Sequence, residues 1–530
     1  MKKYLLSVFT LILPILTFAQ DVAEKGLDQR IDEGFKPISD AISAVIFFKI
    51  MGTPFVLILL VGSALFFTLY FGFPNFRYFK TSIDIVRGKH DDVDHHEVGD
   101  SELAIDGDIK DTIEDESKDG EVTHFQALAT AVSGTVGNGN IAGVALAIAL
   151  GGPGATFWMV ICGLLGMSTK FVECTLGVQY RDVDEDGTVY GGPMYYISKG
   201  LKEKGFATMG KIVAVFFAIF CIGGSFGGGN AAQSNQATIV LKDLLGLESA
   251  SAGAWIGLIL AILVGIIIIG GIKRIASVTE KIVPFMAIMY LIACFYIVLS
   301  NFSLIDDAFR LIMREAFNPT AIGVGSFIGV LLVGFKRAAF SNEAGAGSAS
   351  IAHSAVKTKY SASEGLVALL EPFIDTVVIC TMTALVIIIF NFGGAFEYGG
   401  EGSVIIDGIS YEGAGITSKA FAEFIPYSNV FLTIAVVLFA ISTMISWSYY
   451  GLQSWKYLFG RGKAADMTYK LLFLLFVIIG AAASMKSIWD FSDAMIFAMV
   501  FPNMIGLYFL FPVVKKQLTR YLDAIKANKE

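Results

Sequence analysis

The strongest constraint on the fold of this chain is a series of eleven long apolar runs. Each run is close to or above the ~20 residues that a helix needs to cross about 30 Å of hydrocarbon. A bilayer admits only helices and closed barrels, and the runs lack the alternating pattern of barrel strands. We therefore predict an all-α polytopic membrane protein with about 11 transmembrane helices, near residues 44–73, 125–150, 153–178, 208–238, 252–272, 281–300, 320–350, 364–391, 428–458, 467–485 and 488–514.

The composition agrees with a chain whose main partner is the lipid bilayer. Hydrophobic residues make up 55% of the 530 residues, and charged residues only 16%. Both fractions lie well outside the balance of a soluble domain. The formal net charge of −8 gives no reason to expect nucleic acid as a partner. No obligatory protein partner is evident from the sequence.

Residues 1–19 have the pattern of a secretory signal peptide. Lys2 and Lys3 precede a short apolar core, and Ala19 is a small residue suited to cleavage. An uncleaved signal anchor is the alternative, although the core is short for a membrane span. Residues 20–42 are polar and acidic, so we expect an external amino-terminal segment there.

The charges of the loops predict the orientation in the membrane, because Lys and Arg accumulate on the cytoplasmic side of short loops. The loop after the first span is basic, as are those after the third, fifth, seventh and ninth spans. By contrast, the loop at about 392–427 holds five acidic residues and a single lysine, Lys419. The alternation predicts a multi-pass membrane protein with its amino terminus outside and its carboxyl terminus in the cytoplasm. We expect its location to be the bacterial inner membrane.

An acidic insert lies between the first two spans, at about residues 90–122. Its opening, HDDVDHHEVGD, brings a group of acidic and imidazole side chains close together in sequence, namely His90, Asp92, Asp94, His95 and His96. Such a composition is able to bind a metal ion, but a solvated acidic loop is the favoured interpretation.

Two of the apolar runs are interrupted by small and polar residues. GTVGNGNIAG opens the second run at Gly134, and FSNEAGAGSAS interrupts the seventh from Phe340 to Ser350. Glycine costs a helix interior about 1 kcal/mol relative to alanine, and polar groups freed by breaking a membrane helix must line a cavity or be buried in protein. The first stretch alone would also suit a small-residue face for helix packing.

The positions of the two interruptions favour a site. If the first span is set aside, they fall in the first span of each group of five. This arrangement predicts a transporter built from a 5+5 inverted repeat, with broken first helices and a site at the midplane that suits a small solute. The chain is thereby divided into a signal peptide, an external segment, an extra transmembrane helix, a cytoplasmic acidic insert, two five-helix repeats and a cytoplasmic tail, at 1–19, 20–42, 43–75, 76–124, 125–300, 301–515 and 516–530.

Two other classes of protein share parts of this pattern. GGSFG, from Gly223 to Gly227, formally matches the nucleophile elbow of hydrolases, but it lies inside an apolar run rather than at a strand-to-helix turn. We therefore interpret it as helix packing and predict that the chain is not an enzyme. An ion channel also uses glycine-rich breaks, but it usually frames a filter with symmetric subunits, whereas the duplication here lies within one chain.

Four blocks of sequence carry a specific resemblance: GTVGNGNIAGVALAIALGGPGATFWMVICGLLGMSTKFVE, GGPMYYI, GFKRAAFSNEAGAGSASIAHSAVKTKY and EPFIDTVVICTMTAL. Over about residues 43–515 the chain resembles the alanine or glycine:cation symporters. The resemblance implies symport of alanine or glycine into the cell by alternating access, with Na⁺ as the coupling ion. It also implies a broken-helix fold like that of the neurotransmitter:sodium symporters. A proton-coupled transporter, a transporter of another small solute and, less favoured, an ion channel remain as alternatives.

The resemblance implies a substrate site between the two breaks. Gly137 and Gly139 would present backbone NH groups to the substrate carboxylate, with Thr135 and Asn138 beside it. Trp447 would close over the small side chain of the substrate. The other implied substrate-binding residues are Gln233, Phe340, Ser341 and Asn342.

The resemblance also implies a sodium site. Its ligands would be the carbonyl oxygens of Ser133 and Val136 and the hydroxyl groups of Ser442 and Thr443, with Asn140 as a further candidate. The alternative is that the two hydroxyl groups bond back to carbonyls of their own helix.

Ionisable residues at membrane depth are costly, so each is a functional candidate by default. Glu343 and Asp375 are assigned gating or structural roles. For Glu343 three possibilities are open: it orients the broken backbone, receives a proton, or pairs with Lys336 or Arg337.

Three more ionisable residues lie in the apolar runs. Lys170 and Glu173 are three residues apart on one helical face, which predicts an ion pair. For Glu371, a buried carboxylate that is paired or protonated is favoured over a second ion site or a proton linkage.

Overall fold

The computed structural model describes residues 26–94, 120–185, 187–318, 327–400 and 402–528. The predicted signal peptide lies outside these residues, as do His95 and His96 of the acidic insert. The described part of the chain is mostly helical, with short antiparallel strand pairs between helices. The strands are β1 (Lys49–Ile50), β2 (Thr53–Pro54), β3 (Asp182–Val183), β4 (Val189–Tyr190), β5 (Ser403–Ile406) and β6 (Ile409–Glu412).

The helices are numbered in chain order. Those before residue 120 are α1 (Leu27–Ile46), α2 (Phe55–Tyr70), α3 (Pro74–Arg77), α4 (Phe79–Val86) and α5 (Asp91–Asp94). Those from residue 120 to residue 300 are α6 (His124–Thr135), α7 (Val144–Gly151), α8 (Gly154–Gln179), α9 (Pro193–Glu203), α10 (Ala207–Phe226), α11 (Ala232–Leu245), α12 (Ala252–Ile268) and α13 (Gly271–Ser300).

The remaining helices follow residue 300. They are α14 (Ile305–Phe317), α15 (Phe327–Asn342), α16 (Ala349–His353), α17 (Ser361–Val367), α18 (Leu370–Pro372), α19 (Thr381–Phe390), α20 (Ala414–Phe424), α21 (Ser428–Phe459), α22 (Lys463–Ala482) and α23 (Met485–Ala527). Wider π turns interrupt three helical stretches, at Gly139–Gly143, Gly227–Ala231 and Phe373–Cys380.

Seven helical stretches are long and apolar enough to cross a bilayer, and the bent pair α6 and α7 makes an eighth. Two shorter apolar helices, α2 and α12, occupy two further predicted positions. The interrupted pair α15 and α16 occupies the last one. Within the described residues, the arrangement is therefore consistent with the predicted number of about 11 spans.

The first broken helix comprises α6, the following π turn and α7, and its two halves are bent by 49°. It begins with a capping box, in which the side chains of Thr123 and Gln126 each accept the other's backbone NH. The first half ends at Val136, whose ψ of 88° leaves the helical region. The side-chain oxygen of Asn140 then accepts the NH of Gly137 at 2.9 Å. This bond satisfies one of the donors that the break frees.

The second broken helix comprises α15 and α16, which are joined by a short loop. Residues in the left-handed region lie at both ends of the loop. The φ angle is +56° at Glu343, directly after α15, and +85° at Gly347, two residues before α16. At Gly347 a side chain would also be excluded by space, because a Cβ would lie 2.7 Å from Cγ of Pro193. The side-chain oxygen of Asn342 accepts the NH of Ala344 at 3.0 Å and so stabilises the start of the loop.

A third interruption, the π turn Gly227–Ala231, separates α10 from α11. A Cβ at Gly229 would lie 2.1 Å from Cγ of Trp447 on α21, so no side chain fits there. In the preceding GGSFG stretch, the Ser225 hydroxyl donates to its own helix at 2.7 Å and accepts from the Tyr469 hydroxyl at 2.9 Å. These contacts agree with the predicted role in helix packing.

The amino-terminal helix α1 contacts the beginnings of α12 and α23. The carboxylate of Asp28 accepts the backbone NH groups of Gly253 and Ala254, each at 3.0 Å. A carboxylate at a helix amino terminus is stabilised by the helix dipole. The hydroxyl groups of Ser39 and Ser43 donate to backbone carbonyls at the start of α23, at 2.7 Å and 2.9 Å. Much of the segment predicted to be external is therefore a docked helix.

Candidate functional site

Asp375 joins the two helix breaks. It lies in the π turn Phe373–Cys380 and is fully buried. Asn140 of the first broken helix donates to its Oδ1 at 2.6 Å, and Ser341 of the second donates to its Oδ2 at 2.9 Å. The breaks also lie close to each other directly, because a Cβ at Gly139 would be 3.4 Å from Cα of Ser341. The two interruptions in the sequence therefore meet in the fold.

Backbone NH groups of the first break are held by side-chain amides. As described above, Asn140 accepts the NH of Gly137, and Gln233 on α11 accepts the NH of Asn138 at 2.9 Å. The amide nitrogen of Gln233 donates to the carbonyl of Gly228 at 2.9 Å, which fixes the orientation of the side chain. Among the described residues, the side-chain oxygen of Asn138 is buried without a hydrogen bond. The side-chain oxygens of Asn140 and Gln233 therefore accept the two backbone NH groups of the first break.

Two of the residues implied to bind substrate are engaged elsewhere. The Thr135 hydroxyl donates to carbonyls of its own helix, at 3.3 Å to Ala131. The amide nitrogen of Asn342 donates to the Thr376 hydroxyl at 2.9 Å. Both side chains are nearly or fully buried, so in this arrangement they stabilise the breaks.

Two aromatic rings cover the glycine turn that precedes Gln233. A Cβ at Gly228 would lie 3.4 Å from Cε2 of Phe340, and Gly229 adjoins the ring of Trp447 as described above. The Trp447 Nε1 donates to Glu343 Oε1 at 2.9 Å. The rings therefore pack against the same turn from α15 and α21.

Oxygen atoms of α6 and α21 approach each other where the sodium site was expected. The Thr443 hydroxyl donates to the carbonyl of Ser133 at 3.0 Å, and the Ser133 hydroxyl donates to the carbonyl of Ser442 at 2.8 Å. A Cβ at Gly137 would lie 2.3 Å from Oγ1 of Thr443, which keeps this position free of a side chain. The Ser442 hydroxyl instead donates back to Phe439 at 2.9 Å. That bond is the alternative given above for this residue.

These residues fit a sodium ion in their chemistry. The Ser133 carbonyl and the Thr443 hydroxyl already lie within hydrogen-bonding distance, and rotation of the hydroxyl proton away from the carbonyl would free lone pairs of both oxygens for a cation. Val136 ends α6, so its carbonyl is released from the regular helix. Carbonyl and hydroxyl oxygens are hard donors, which are typical ligands of hard cations such as Na⁺.

Comparison with known proteins identifies the family. The family model described as the sodium:alanine symporter family matches residues 38–530. The chain belongs to this family. The sodium/alanine symporter AgcS of Methanococcus maripaludis is 38% identical over 478 residues, which cover 90% of this chain and 96% of that protein. The amino-acid carrier protein AlsT of Bacillus subtilis is 31% identical over 474 residues, which cover 89% of this chain and 90% of that protein.

A solved structure has the same fold. The crystal structure of MhsT in complex with L-phenylalanine covers 76% of this chain and 99% of that chain, with a TM-score of 0.50 and 14% sequence identity. This similarity confirms the predicted all-α fold class. Membership of the symporter family confirms the prediction that the chain is a transporter and not an enzyme.

The pairing of Glu343 with Lys336 or Arg337, one of the possibilities given above, is not formed, because both basic residues contact Asp493 instead. Lys336 Nζ lies 2.8 Å from Asp493 Oδ2 on α23, and Arg337 contacts the same oxygen. Glu343 instead accepts from Trp447 and from a nearby serine hydroxyl. The reason is that α15 ends before Glu343, which removes it from the helical face of the two basic residues. The sequence analysis did not single out Asp493. Its position as an acidic residue inside the last apolar run would have marked it as a candidate.

The predicted pairing of Lys170 with Glu173 is wrong. Lys170 Nζ lies 3.0 Å from Glu371 Oε1 on a neighbouring helix, and both side chains are fully buried. Glu173 accepts from the amide of Asn503 at 2.7 Å instead. Lys170 and Glu173 share a helical face, but their side chains extend from that face side by side. Glu371 lies opposite Lys170 across the helix interface and is therefore its partner.

The acidic insert provides no metal site in its described part. His90, Asp92 and Asp94 lie in or next to α5, and among the described residues no three or more His, Cys, Asp or Glu side chains are arranged so that they could hold a metal ion. Asp94 is buried and accepts the Tyr521 hydroxyl at 3.0 Å. This residue therefore anchors the beginning of the insert to α23.

Proposed function

We propose that the chain imports alanine or glycine together with Na⁺ by alternating access. The observation that carries the proposal is the meeting of the two broken helices through Asp375, with backbone NH groups and oxygen atoms of both breaks close to one another. The names of AgcS, a sodium/alanine symporter, and AlsT, an amino-acid carrier protein, support the choice of ion and substrate. The proposal includes a bacterial inner-membrane location with the amino terminus outside.

The proposed substrate position lies against the first break. The carboxylate of the amino acid would accept the NH groups of Gly137 and Gly139 and take the place of the amide oxygen of Asn140 at Gly137. The positive end of the second half-helix favours the same negative group. Gln233 would rearrange together with the NH of Asn138, which it now accepts at 2.9 Å.

The second break completes the proposed substrate site. Ser341 and Asn342 would border the ammonium group, whose charge suits the loosened backbone carbonyls there. Phe340 and Trp447 would limit the side chain to the size of a methyl group or a hydrogen atom. Both rings already pack against the glycine turn at Gly228, which leaves little room for a larger group.

The proposed sodium ligands are oxygen atoms of α6 and α21. The carbonyls of Ser133 and Val136 would join the hydroxyl of Thr443, and the Ser442 hydroxyl would join after it leaves Phe439. A bound ion would hold the end of α6 against α21. Because an ion that bound all conformations equally would shift no population, the mechanism requires that Na⁺ favours the outward-open form. The amino acid then binds, and closure of both breaks permits release to the inside.

The first test is uptake of radiolabelled alanine into proteoliposomes. An inward Na⁺ gradient is compared with choline replacement and with a pH gradient alone. The proposal expects accumulation only with Na⁺ and competition by unlabelled glycine. Accumulation driven by the pH gradient without Na⁺ would replace sodium by protons as the coupling ion, and no accumulation in correctly inserted protein would refute the assigned substrates.

A further inference from the structure

A row of buried ionisable side chains leads away from the proposed site. Its inner end is the pair of Lys170 and Glu371 described above. His353 Nε2 lies 3.6 Å from the second carboxylate oxygen of Glu371, and His353 Nδ1 lies 2.5 Å from Glu364 Oε1. The side chains of these four residues have no exposed surface. They form a continuous polar row inside the apolar bundle.

The row continues toward the protein surface through a second histidine and ends at Asp94, which is itself buried. His124 Nδ1 contacts the other carboxylate oxygen of Glu364, and His124 Nε2 lies 3.7 Å from Asp94 Oδ2. Asp94 is the last residue of α5, and Asp91 at the start of that helix is exposed. The loop charges predict that this end faces the cytoplasm. Water therefore lies within one helical turn of the outer end of the row.

The hydrogen-bonding pattern of the row contains two places for a proton. Within the described residues, the Nε2 atoms of His124 and His353 and the Oε2 atom of Glu371 are buried without a hydrogen bond. Both imidazole rings contact Glu364 through Nδ1. In a neutral ring that donates from Nδ1, the lone pair of Nε2 would face a carboxylate oxygen, that of Asp94 for His124 and that of Glu371 for His353. A second proton on the ring converts each of these contacts into a donor that faces an acceptor.

The charge balance of the row leads to the same conclusion. It contains three carboxylates and one lysine, so with neutral histidines it would hold two uncompensated negative charges in a buried place. With both imidazoles protonated, the six side chains are electrically neutral. An unpaired buried charge is far more costly than a paired one. The other titratable groups that face the row are Glu173, Cys174, Glu343, Asp375, Tyr450 and Tyr521.

The row also joins the parts of the fold that must separate during transport. His124 begins α6, at the amino end of the first broken helix, and His353 ends α16, at the carboxyl end of the second. Glu364 on α17 contacts both rings. Movement of these ends away from each other must therefore break at least one contact between a histidine and Glu364.

We propose that Asp94, His124, Glu364, His353, Glu371 and Lys170 form a proton-binding row that is linked to the conformational cycle. When the cytoplasmic ends of the broken helices separate, a proton leaves Nε2 of His124, which faces Asp94, and passes to water by way of that carboxylate. The ring is then neutral, and closure takes the proton up again. The inference rests on the proposed transport cycle, in which Na⁺ favours the form with this end closed.

The test measures protons bound by the purified full-length protein when Na⁺ is added. In weakly buffered detergent solution between about pH 5.5 and 8.5, a pH indicator should report uptake of about one proton per transporter with NaCl, and none with choline chloride. By the reciprocity of linked binding, the Na⁺ dissociation constant should fall about tenfold for each unit by which the pH is lowered in the range where the row titrates. His353→Gln and Glu371→Gln should each diminish both effects.

His90→Gln is the matched control, because His90 is a partly exposed histidine next to α5 that lies outside the row. This variant should keep the proton uptake of the unaltered protein. The inference is overturned if the unaltered protein binds Na⁺ without exchanging a proton at any pH tested, whether or not the variants fold. Alanine uptake is measured in parallel. Intact Na⁺-driven uptake without proton exchange would refute only the proton-binding role of the row. Proton uptake on Na⁺ binding without alanine transport refutes only the assigned substrate.

Discussion

Replacement of Thr443 by alanine tests the proposed sodium site most directly. The Thr443 hydroxyl donates to the Ser133 carbonyl at 3.0 Å, and in the proposed bound form both oxygens contact the ion. Loss of an ordinary hydrogen bond costs about 0.5–1.5 kcal/mol of stability, whereas loss of a contact with a charged group costs about 1.5–3 kcal/mol. At about 1.4 kcal/mol per factor of ten, Thr443→Ala should weaken Na⁺ binding roughly 10- to 100-fold and leave the fold nearly intact.

The assay is the Na⁺ dependence of alanine uptake in proteoliposomes that contain equal amounts of folded protein. Thr443→Ser keeps the hydroxyl and should restore most of the Na⁺ affinity. Ser448→Ala is the matched control, because it removes a buried hydroxyl of the same helix that donates to its own backbone at 2.6 Å. An unchanged half-saturating Na⁺ concentration in well-folded Thr443→Ala would refute the assignment of this hydroxyl as a ligand.

Three further substitutions test the surroundings of the site. Gly229→Ala places a Cβ 2.1 Å from Cγ of Trp447, so its thermal unfolding temperature should fall by several degrees, and an unchanged temperature would contradict the close packing. Trp447→Phe removes the donor to Glu343 at 2.9 Å and reduces the ring, so competition by amino acids larger than alanine should increase; unchanged selectivity would argue against a closing role. Asp493→Asn removes the charge that pairs with buried Arg337 and should cost about 3–5 kcal/mol, measured by denaturation in detergent. A stability equal to that of the unaltered protein would show that the pair is not desolvated.

The elements of the fold were largely predictable from the sequence. Long apolar runs fix where helices cross the bilayer, because length and hydropathy are local properties of the chain. The two breaks were also predictable, since glycine and asparagine stand where a regular membrane helix disfavours them, as at Gly137 and Gly347. The π turn at Gly227–Ala231 was harder to foresee, because it depends on a ring of α21 that approaches from more than two hundred residues away.

The pairing of charges inside the bundle was not predictable from spacing. Lys170 has an acidic residue on its own helical face, yet it pairs with Glu371 on another helix. Lys336 and Arg337 likewise pair with Asp493 across a helix interface rather than with Glu343 nearby in sequence. Buried ion pairs depend on which side chains lie opposite each other after packing, and a single sequence contains no direct record of that arrangement.

In the proposed mechanism, the amides that hold the first break would act as an internal substitute for the substrate. In every cycle a symporter must return without its cargo, and a site with several unpaired NH groups would make that step costly. Asn140 and Gln233 each supply a carbonyl-type oxygen to an NH group of the break, so these two NH groups are hydrogen-bonded within the protein. An arriving amino acid would compete with these side chains, and its affinity would reflect the difference between two sets of hydrogen bonds. Moderate affinity and a fast return of the vacant carrier would then have the same structural origin.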